Sequence, residues 1–337
     1  MAPIRPRPPW RSLTAALDLT AGPPRRILAA AFPFLRDVQT DYRDAVGPIR
    51  VPGGRANPGT IGTAFDVWAQ LQAWRRPALE LAAAGAELAG PALAAANAQL
   101  MDRLGAHEET WNRPVDGPWA GPCPGLEQSD LLRLCWASAC LIEVFRTGVV
   151  VPGSPLTLLP QDRPGDLLSL APPAAVDELS DLADLARDRL LPRLHALTLS
   201  GPTWLGPTFA GSTLMPADAD LVVGHTLIEL KTVQGRKTPA GRRAALDGIT
   251  LFQLLGYVLH DTDDAHQITS VALYQARYGH LAVWNLDRLL HRLAGREVDL
   301  AALRRQWAAM LAAGPNLERT STAPSAPGRS RPSRAAR

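Results

Sequence analysis

The stretch PADADLVVGHTLIELKT, Pro216 to Thr232, decides how the rest of the chain is read. Two short apolar runs flank Gly224-His225, and acids sit where the runs should meet. Gly at the first position of a two-residue turn suits a type II′ hairpin. In such a hairpin the numbers of facing residues sum to a constant, here 449. Asp220 is therefore predicted to face Glu229, and Asp218 to face Lys231. Side chains alternate along a strand. Ala219, Leu221, Val223, Thr226, Ile228 and Leu230 then share one face, almost purely apolar and expected in the core. Asp218, Asp220, Glu229 and Lys231 share the other, with Val222 and Leu227 nearer the turn.

Facing Cβ atoms lie roughly 4.5–5.5 Å apart, and like charges there are destabilising. At about 5 Å and an effective dielectric near 20, the repulsion is on the order of 3 kcal/mol. A hard divalent cation offsets it. Mg²⁺ takes few carboxylates, keeps several waters and pairs with phosphate. Lys231 stands on the same face, two residues after Glu229. The combination suits metal-assisted hydrolysis of a phosphodiester, the ion activating water and the ammonium orienting or stabilising the nucleophile. The plainer reading of the same letters is a surface hairpin with a salt bridge to Lys231.

Asp220 followed by Glu229-Leu230-Lys231 resembles the signature of the PD-(D/E)XK nuclease superfamily. Gln253-Leu-Leu-Gly-Tyr257 places Gln and Tyr at i and i+4 on one helix face. It resembles the Q-x-x-x-Y helix of the RecB-type branch. Gly62-Thr-Ala-Phe-Asp66 resembles that branch's first motif, with Asp66 where the family has His. A carboxylate is a harder ligand than imidazole and still suits Mg²⁺ or Mn²⁺. The family's Pro-Asp dipeptide is missing. Pro216-Ala-Asp218 makes Asp218 a competitor for the first metal role. The 449 pairing favours Asp220 and leaves Asp218 to hold Lys231.

The resemblance implies an α/β (α+β) chain with a restriction-endonuclease-like αβββαβ core and a large helical insertion. It implies Mg²⁺ or Mn²⁺ held by Asp220, Glu229, the carbonyl of Leu230 and Asp66. Lys231 would serve the attacking water, and Gln253 and Tyr257 would position the strand or that water. The activity implied is a metal-dependent deoxyribonuclease of repair, recombination or defence type, with DNA as partner. The rival is a nuclease-like fold without activity, kept as a DNA-binding or protein-interaction module whose helical half recruits a partner protein.

Beyond the hairpin, Arg236, Lys237, Arg242 and Arg243 form a basic loop before the Gln253 helix. A loop there suits a DNA-backbone clamp, and equally a solvated surface. Trp204 is read as core or lid packing, with base stacking as the alternative. Glu143 and Arg146 read as an i,i+3 surface pair, and HDTDDAH, His260 to His266, as a polar loop ending a helix.

The 337 residues are 46% hydrophobic and 20% charged, an ordinary globular balance. The three Cys at 123, 135 and 140 fit a reducing cytoplasm rather than a disulfide framework. They are one short of the four thiolates usual for an iron–sulfur cluster, so none is expected. No apolar run spans a membrane, no secretory signal opens the chain, and no P-loop appears. Net charge is +3, much of it at the ends, where Arg5, Arg7, Arg11, Arg329, Arg331, Arg334 and Arg337 lie. Residues 1–25 and 314–337 are expected to be disordered basic tails. Residues 26–200 are expected to be mostly helical, with helices over 28–42, over 60–104 with breaks near Pro77 and Pro91, over 130–146 and over 174–197. Residues 201–313 are expected to form the nuclease core: strand-like 207–233, a helix over 243–260, a hairpin over 268–286 and helices over 286–293 and 297–313.

Overall fold

A computed structural model of the protein describes residues 10–73, 79–104, 114–115, 127–160, 162–239 and 241–315. Among them are twelve α-helices and one mixed sheet. In the first half lie α1 (Leu13–Asp18), α2 (Pro23–Ala31), α3 (Arg36–Ala45), α4 (Pro58–Ala73), α5 (Glu80–Ala89), α6 (Pro91–Leu104) and the strand β1 (Pro114–Val115). Then follow α7 (Gln128–Thr147), α8 (Pro173–Arg189) and α9 (Leu191–Thr198). The second half carries β2 (Thr203–Leu205), β3 (Leu221–Val223), β4 (Thr226–Lys231), β5 (Arg236–Thr238) and β6 (Gly241–Arg243). It continues with α10 (Gly248–His260), β7 (Ser270–Gln275), β8 (His280–Asn285), α11 (Leu286–Ala294) and α12 (Leu300–Ala313).

The sheet runs β2-β3-β4-β7-β8, and β1 adds a two-residue pairing at the β2 edge. Only β4 and β7 are parallel, joined over one face by α10; the other pairs are antiparallel. A parallel neighbour requires such a crossover, and the crossover helix must cover the sheet. Both faces of the sheet are buried accordingly. Leu221, Val223, Ile228, Leu230, Ala272 and Tyr274 point into a core built with α4 to α9. Val222, Leu227, Val271 and Leu273 point into a second core built with α1 to α3 and α10 to α12. Strands covered on both sides read as continuous apolar runs rather than alternating ones, which explains LVV and TLI around the turn.

Local chemistry sets the element ends. The Asp247 side chain accepts from the Thr250 amide and caps α10. Gly148 closes α7 in the left-handed conformation. Pro192 stands in the first turn of α9, so the helix expected over 174–197 is two, because Pro removes an interior hydrogen bond. For the same reason the helix expected over 28–42 divides into α2 and α3 around Phe32-Pro33. The helix expected from 243 begins at Gly248. The strand-like stretch expected over 207–233 contains a 3-10 turn at Ala210–Thr213 before β3.

The disorder expected over 1–25 is overturned from Trp10 onward. Trp10, Leu13 and Leu17 are buried against α10 and α12, and the Trp10 indole donates to the Leu311 carbonyl. These apolar residues, spaced one helical turn apart, outweigh the basic, Pro-rich composition around them. Residues 1–9 and 316–337 lie outside the described residues.

Candidate functional site

The β3–β4 hairpin has the register expected of it. Val223 faces Thr226, Val222 faces Leu227 and Leu221 faces Ile228, the 449 pairing throughout. Gly224 has φ of 59° while His225 keeps a negative φ, as a type II′ turn requires. The ladder ends at Leu221, and the Asp220 carboxylate, one residue further, turns onto the neighbouring strand. Its Oδ2 accepts from the Leu230 amide at 2.7 Å.

Glu229 is buried at 3% exposure beside it. Its Oε1 accepts from Lys231 Nζ at 2.5 Å and from Gln253 Nε2 at 2.9 Å. The same Gln253 nitrogen donates to the Tyr257 hydroxyl at 2.7 Å. The i,i+4 pair of α10 therefore touches the carboxylate of β4, which the crossover geometry makes possible. Oε2 of Glu229 is buried without a hydrogen-bond partner among the described residues. An orphaned carboxylate oxygen is expensive, and such an atom calls for an account.

Asp66 joins the group from α4. The approach of this helix is close: a Cβ on Gly62 would lie 3.2 Å from Thr232 Oγ1, just past the end of β4. Electrostatics registers the gathering. Burial, then Lys231 in the opposite sense, then Glu229 act on Asp66, whose pKa is pushed up to about 7. Burial, Glu229 and Asp66 raise Asp220 well above the carboxylate range against the pull of Lys231. Burial raises Glu229 too, although Lys231 and Gln253 oppose it. Burial depresses Lys231, but Glu229 and Asp220 outweigh it and hold the ammonium above its ordinary value. Burial, Glu229 and Asp220 also raise Tyr257 well above its ordinary value, so it is a neutral phenol at any physiological pH. Buried acids that repel one another beside one ammonium are a pattern characteristic of functional sites.

Asp66, Asp220, Glu229, Leu230, Lys231, Gln253 and Tyr257 thus come together from α4, the residue before β3, β4 and α10. The oxygen-only donor set fits a hard divalent cation, and the unpartnered Glu229 oxygen and mutually raised acids are what such an ion would relieve. In the conformation present, Lys231 is the counter-ion to Glu229. No three His, Cys, Asp or Glu side chains are gathered at ligating distance among the described residues.

Other placements differ from the sequence reading. Asp218 does not hold Lys231. The ladder has already ended, so Asp218 bridges to Thr208 instead, is exposed, and has Oδ2 4.0 Å from the Arg146 guanidinium. Arg146, expected to pair with Glu143, reaches Thr63 of α4 at 3.3 Å and stands as a cation at the rim of the site. Arg236, Lys237, Arg242 and Arg243 are not a loop but the exposed hairpin β5–β6. Trp204 packs edge-on against His266 at 4.7 Å. HDTDDAH ends α10 at His260 and continues as a polar loop, as expected; within it Asp261 and His266 are buried, bonded to each other and near Arg304. Cys135 and Cys140 are buried on α7.

No family model, no curated protein and no solved structure matches the chain. Among the described residues no helix is long and apolar enough to cross a membrane.

Proposed function

We propose that the chain is a Mg²⁺- or Mn²⁺-dependent nuclease of the PD-(D/E)XK kind that hydrolyses phosphodiester bonds of DNA. One observation carries the reading. Asp220, Glu229 and Lys231 converge on one end of β4, with Glu229 fixed by Gln253 of the crossover helix. The succession α4, β2, β3, β4, α10, β7 follows the αβββαβ order of a restriction-endonuclease-like core, with α5 to α9 as the helical insertion.

Asp220, Glu229 and the Leu230 carbonyl would hold the ion, with Asp66 as a further ligand. When bound, the ion would supply Lewis acidity and charge screening at the scissile phosphate. The protein's own residues do the rest. Lys231 is kept charged by its acidic neighbours, so it serves as an electrostatic stabiliser and hydrogen-bond donor to an attacking water. Gln253 fixes the Glu229 rotamer, and the neutral Tyr257 phenol supplies a hydroxyl for a phosphate oxygen.

Linear duplex DNA incubated with Mn²⁺ is expected to be degraded by the wild-type chain and left intact by Lys231→Ala and Glu229→Ala. A loss of at least about 10²-fold is expected from removing one such electrostatic group. Equal degradation by all three proteins, from one purification protocol, would remove the proposal.

A second reading has an observation of its own. Lys231 already neutralises Glu229, and among the described residues no third carboxylate, imidazole or thiol is gathered at ligating distance with Asp220 and Glu229. A nuclease-like fold kept for binding DNA or a partner protein through its helical half would look this way. Titration calorimetry with Mn²⁺ separates the two. Binding abolished by Glu229→Gln supports the nuclease, and heats unchanged by that substitution support the binding module.

A further inference from the structure

The hairpin β5–β6 repeats the arrangement of the carboxylate hairpin with the sign reversed. Arg236 faces Arg243, and Lys237 faces Arg242. Like charges directly opposite one another destabilise a strand pair. The strands are exposed and contain no apolar side chain to compensate. What holds the hairpin is its base: the Tyr278 hydroxyl donates to the Gln234 carbonyl at 2.8 Å, and Ala244 and Leu246 are buried.

Alternation sorts the four cations. Arg236, Thr238 and Arg243 share one face, and Lys237 and Arg242 the other. The first face closes against α3 around a cavity of about 270 Å³, whose lining includes Gln39 and Arg43. Three guanidinium groups thus meet at one cavity, opposed by a single carboxylate among the described residues. That carboxylate is Asp44, 3.1 Å from Arg243 and 3.8 Å from Arg43. Arg236 has no carboxylate partner among the described residues. A water takes roughly 30 Å³, so the cavity admits a phosphate group with part of its hydration. Guanidinium forks match phosphate oxygens in pairs.

We propose that this cavity is a phosphate subsite that grips the backbone of a nucleic-acid strand, with Arg43, Arg236 and Arg243 as its cations and Gln39 and Thr238 as neutral donors. The hairpin leaves β4 just after Lys231 and returns to α10 ahead of Gln253, so both its ends are anchored to elements of the carboxylate site. A strand held here is presented to that site. A linear polyanion fits better than a membrane surface, because the hairpin offers charge on two faces and no apolar side chain to insert. For the identity of the polyanion the inference rests on the nuclease reading.

The experiment measures binding of a short fluorescent DNA duplex to the full chain, without divalent ions, over a series of salt concentrations. Arg236→Gln with Arg243→Gln is expected to weaken binding by about tenfold or more. The slope of log affinity against log salt should fall by about one per arginine. Lys237→Gln with Arg242→Gln, on the other face, should weaken it distinctly less. Arg43→Gln should behave like the first pair although it lies on a different element. The pocket variants should also melt close to wild type, because the Asp44 pairs they remove are exposed and weak and a like-charge repulsion goes with them; a structural role would lower the melting temperature clearly. Equal losses from both faces, unchanged binding in the pocket variants, or binding to anionic vesicles but not to DNA would each overturn the subsite. Should the chain bind DNA through these arginines yet never cleave it, the subsite stands and the nuclease reading falls. Should pocket variants bind and cleave like wild type, the reverse holds.

Discussion

Glu229 serves two neighbours with one oxygen and leaves the other without a partner among the described residues. Burial raises Glu229, Asp220 and Asp66 alike, and Glu229 adds to the rise of both aspartates. A carboxyl whose pKa rises on folding is better protonated in the native state than in the unfolded one. Its contribution is fully present below the unfolded value and is lost as pH climbs toward the folded value. For Asp66 that window runs from 3.8 to about 7. Asp66→Asn removes one of the three titrations, so its melting temperature should decline less steeply across that window than that of the wild type, Asp220 and Glu229 still titrating. At the upper end the variant should be the more stable, by on the order of 1–2 kcal/mol once coupling and solvent screening are discounted. Thermal melts at both ends of the window check this. A wild-type melt that rises with pH across it would contradict the burial of these acids. At this scale the hairpin residues were legible near the turn, because the 449 pairing is arithmetic and the structure keeps it from Val223–Thr226 to Leu221–Ile228; Asp220 lies one residue past the ladder and bonds the Leu230 amide. Asp218 was not, because arithmetic does not say where a ladder stops.

The β3–β4 hairpin is the element on which the site depends, and its turn is tightly enclosed. A Cβ on Gly224 would stand 2.2 Å from Ser200 Oγ and 2.8 Å from the Leu197 carbonyl, and the residue needs a φ of 59°. Gly224→Ala meets both the backbone penalty and the contact with a carbonyl that cannot swing aside. Destabilisation on the order of 2–3 kcal/mol is expected, read as a lower urea midpoint at unchanged slope. His225→Ala, at the negative-φ position of the same turn, should shift the midpoint far less. The second hairpin, β5–β6, shows why element type escaped the sequence reading. RKT and GRR carry no alternation of apolar and polar residues, so no period was available to read. The hairpin exists because its ends are tied to a strand and a helix. The breaks at Pro33 and Pro192 were written in the sequence, but an apolar spacing that continues across each proline concealed them.

Across the whole molecule, the helical layer and the sheet are joined by one buried ion pair that no motif announced. Arg277, 1% exposed after β7, bonds Glu178 of α8, and its Nε donates to the Thr232 carbonyl next to Lys231. Glu178 in turn accepts from the Gly54 amide at 2.9 Å, and the Arg277 carbonyl accepts from the amides of Arg50 and Val51. One guanidinium therefore ties α8, the 50–54 loop and the end of β4 together. Glu178 and Arg277 are 99 residues apart, a separation at which a single sequence offers no pairing signal. Breaking a buried pair from one side leaves an uncompensated charge and costs about 3–5 kcal/mol, whereas removing both charges together can be close to neutral. Arg277→Met should accordingly lower the urea midpoint sharply, and Arg277→Met with Glu178→Met should recover much of it. Activity should separate from stability in that double variant. The Thr232 carbonyl loses its donor whether or not the charge is balanced, so the end of β4 and Lys231 are held less firmly. If DNA cleavage in Mn²⁺ returns to the wild-type rate together with stability, Arg277 is a structural strut alone. If stability returns and kcat stays low with KM unchanged, the buried pair also positions Lys231.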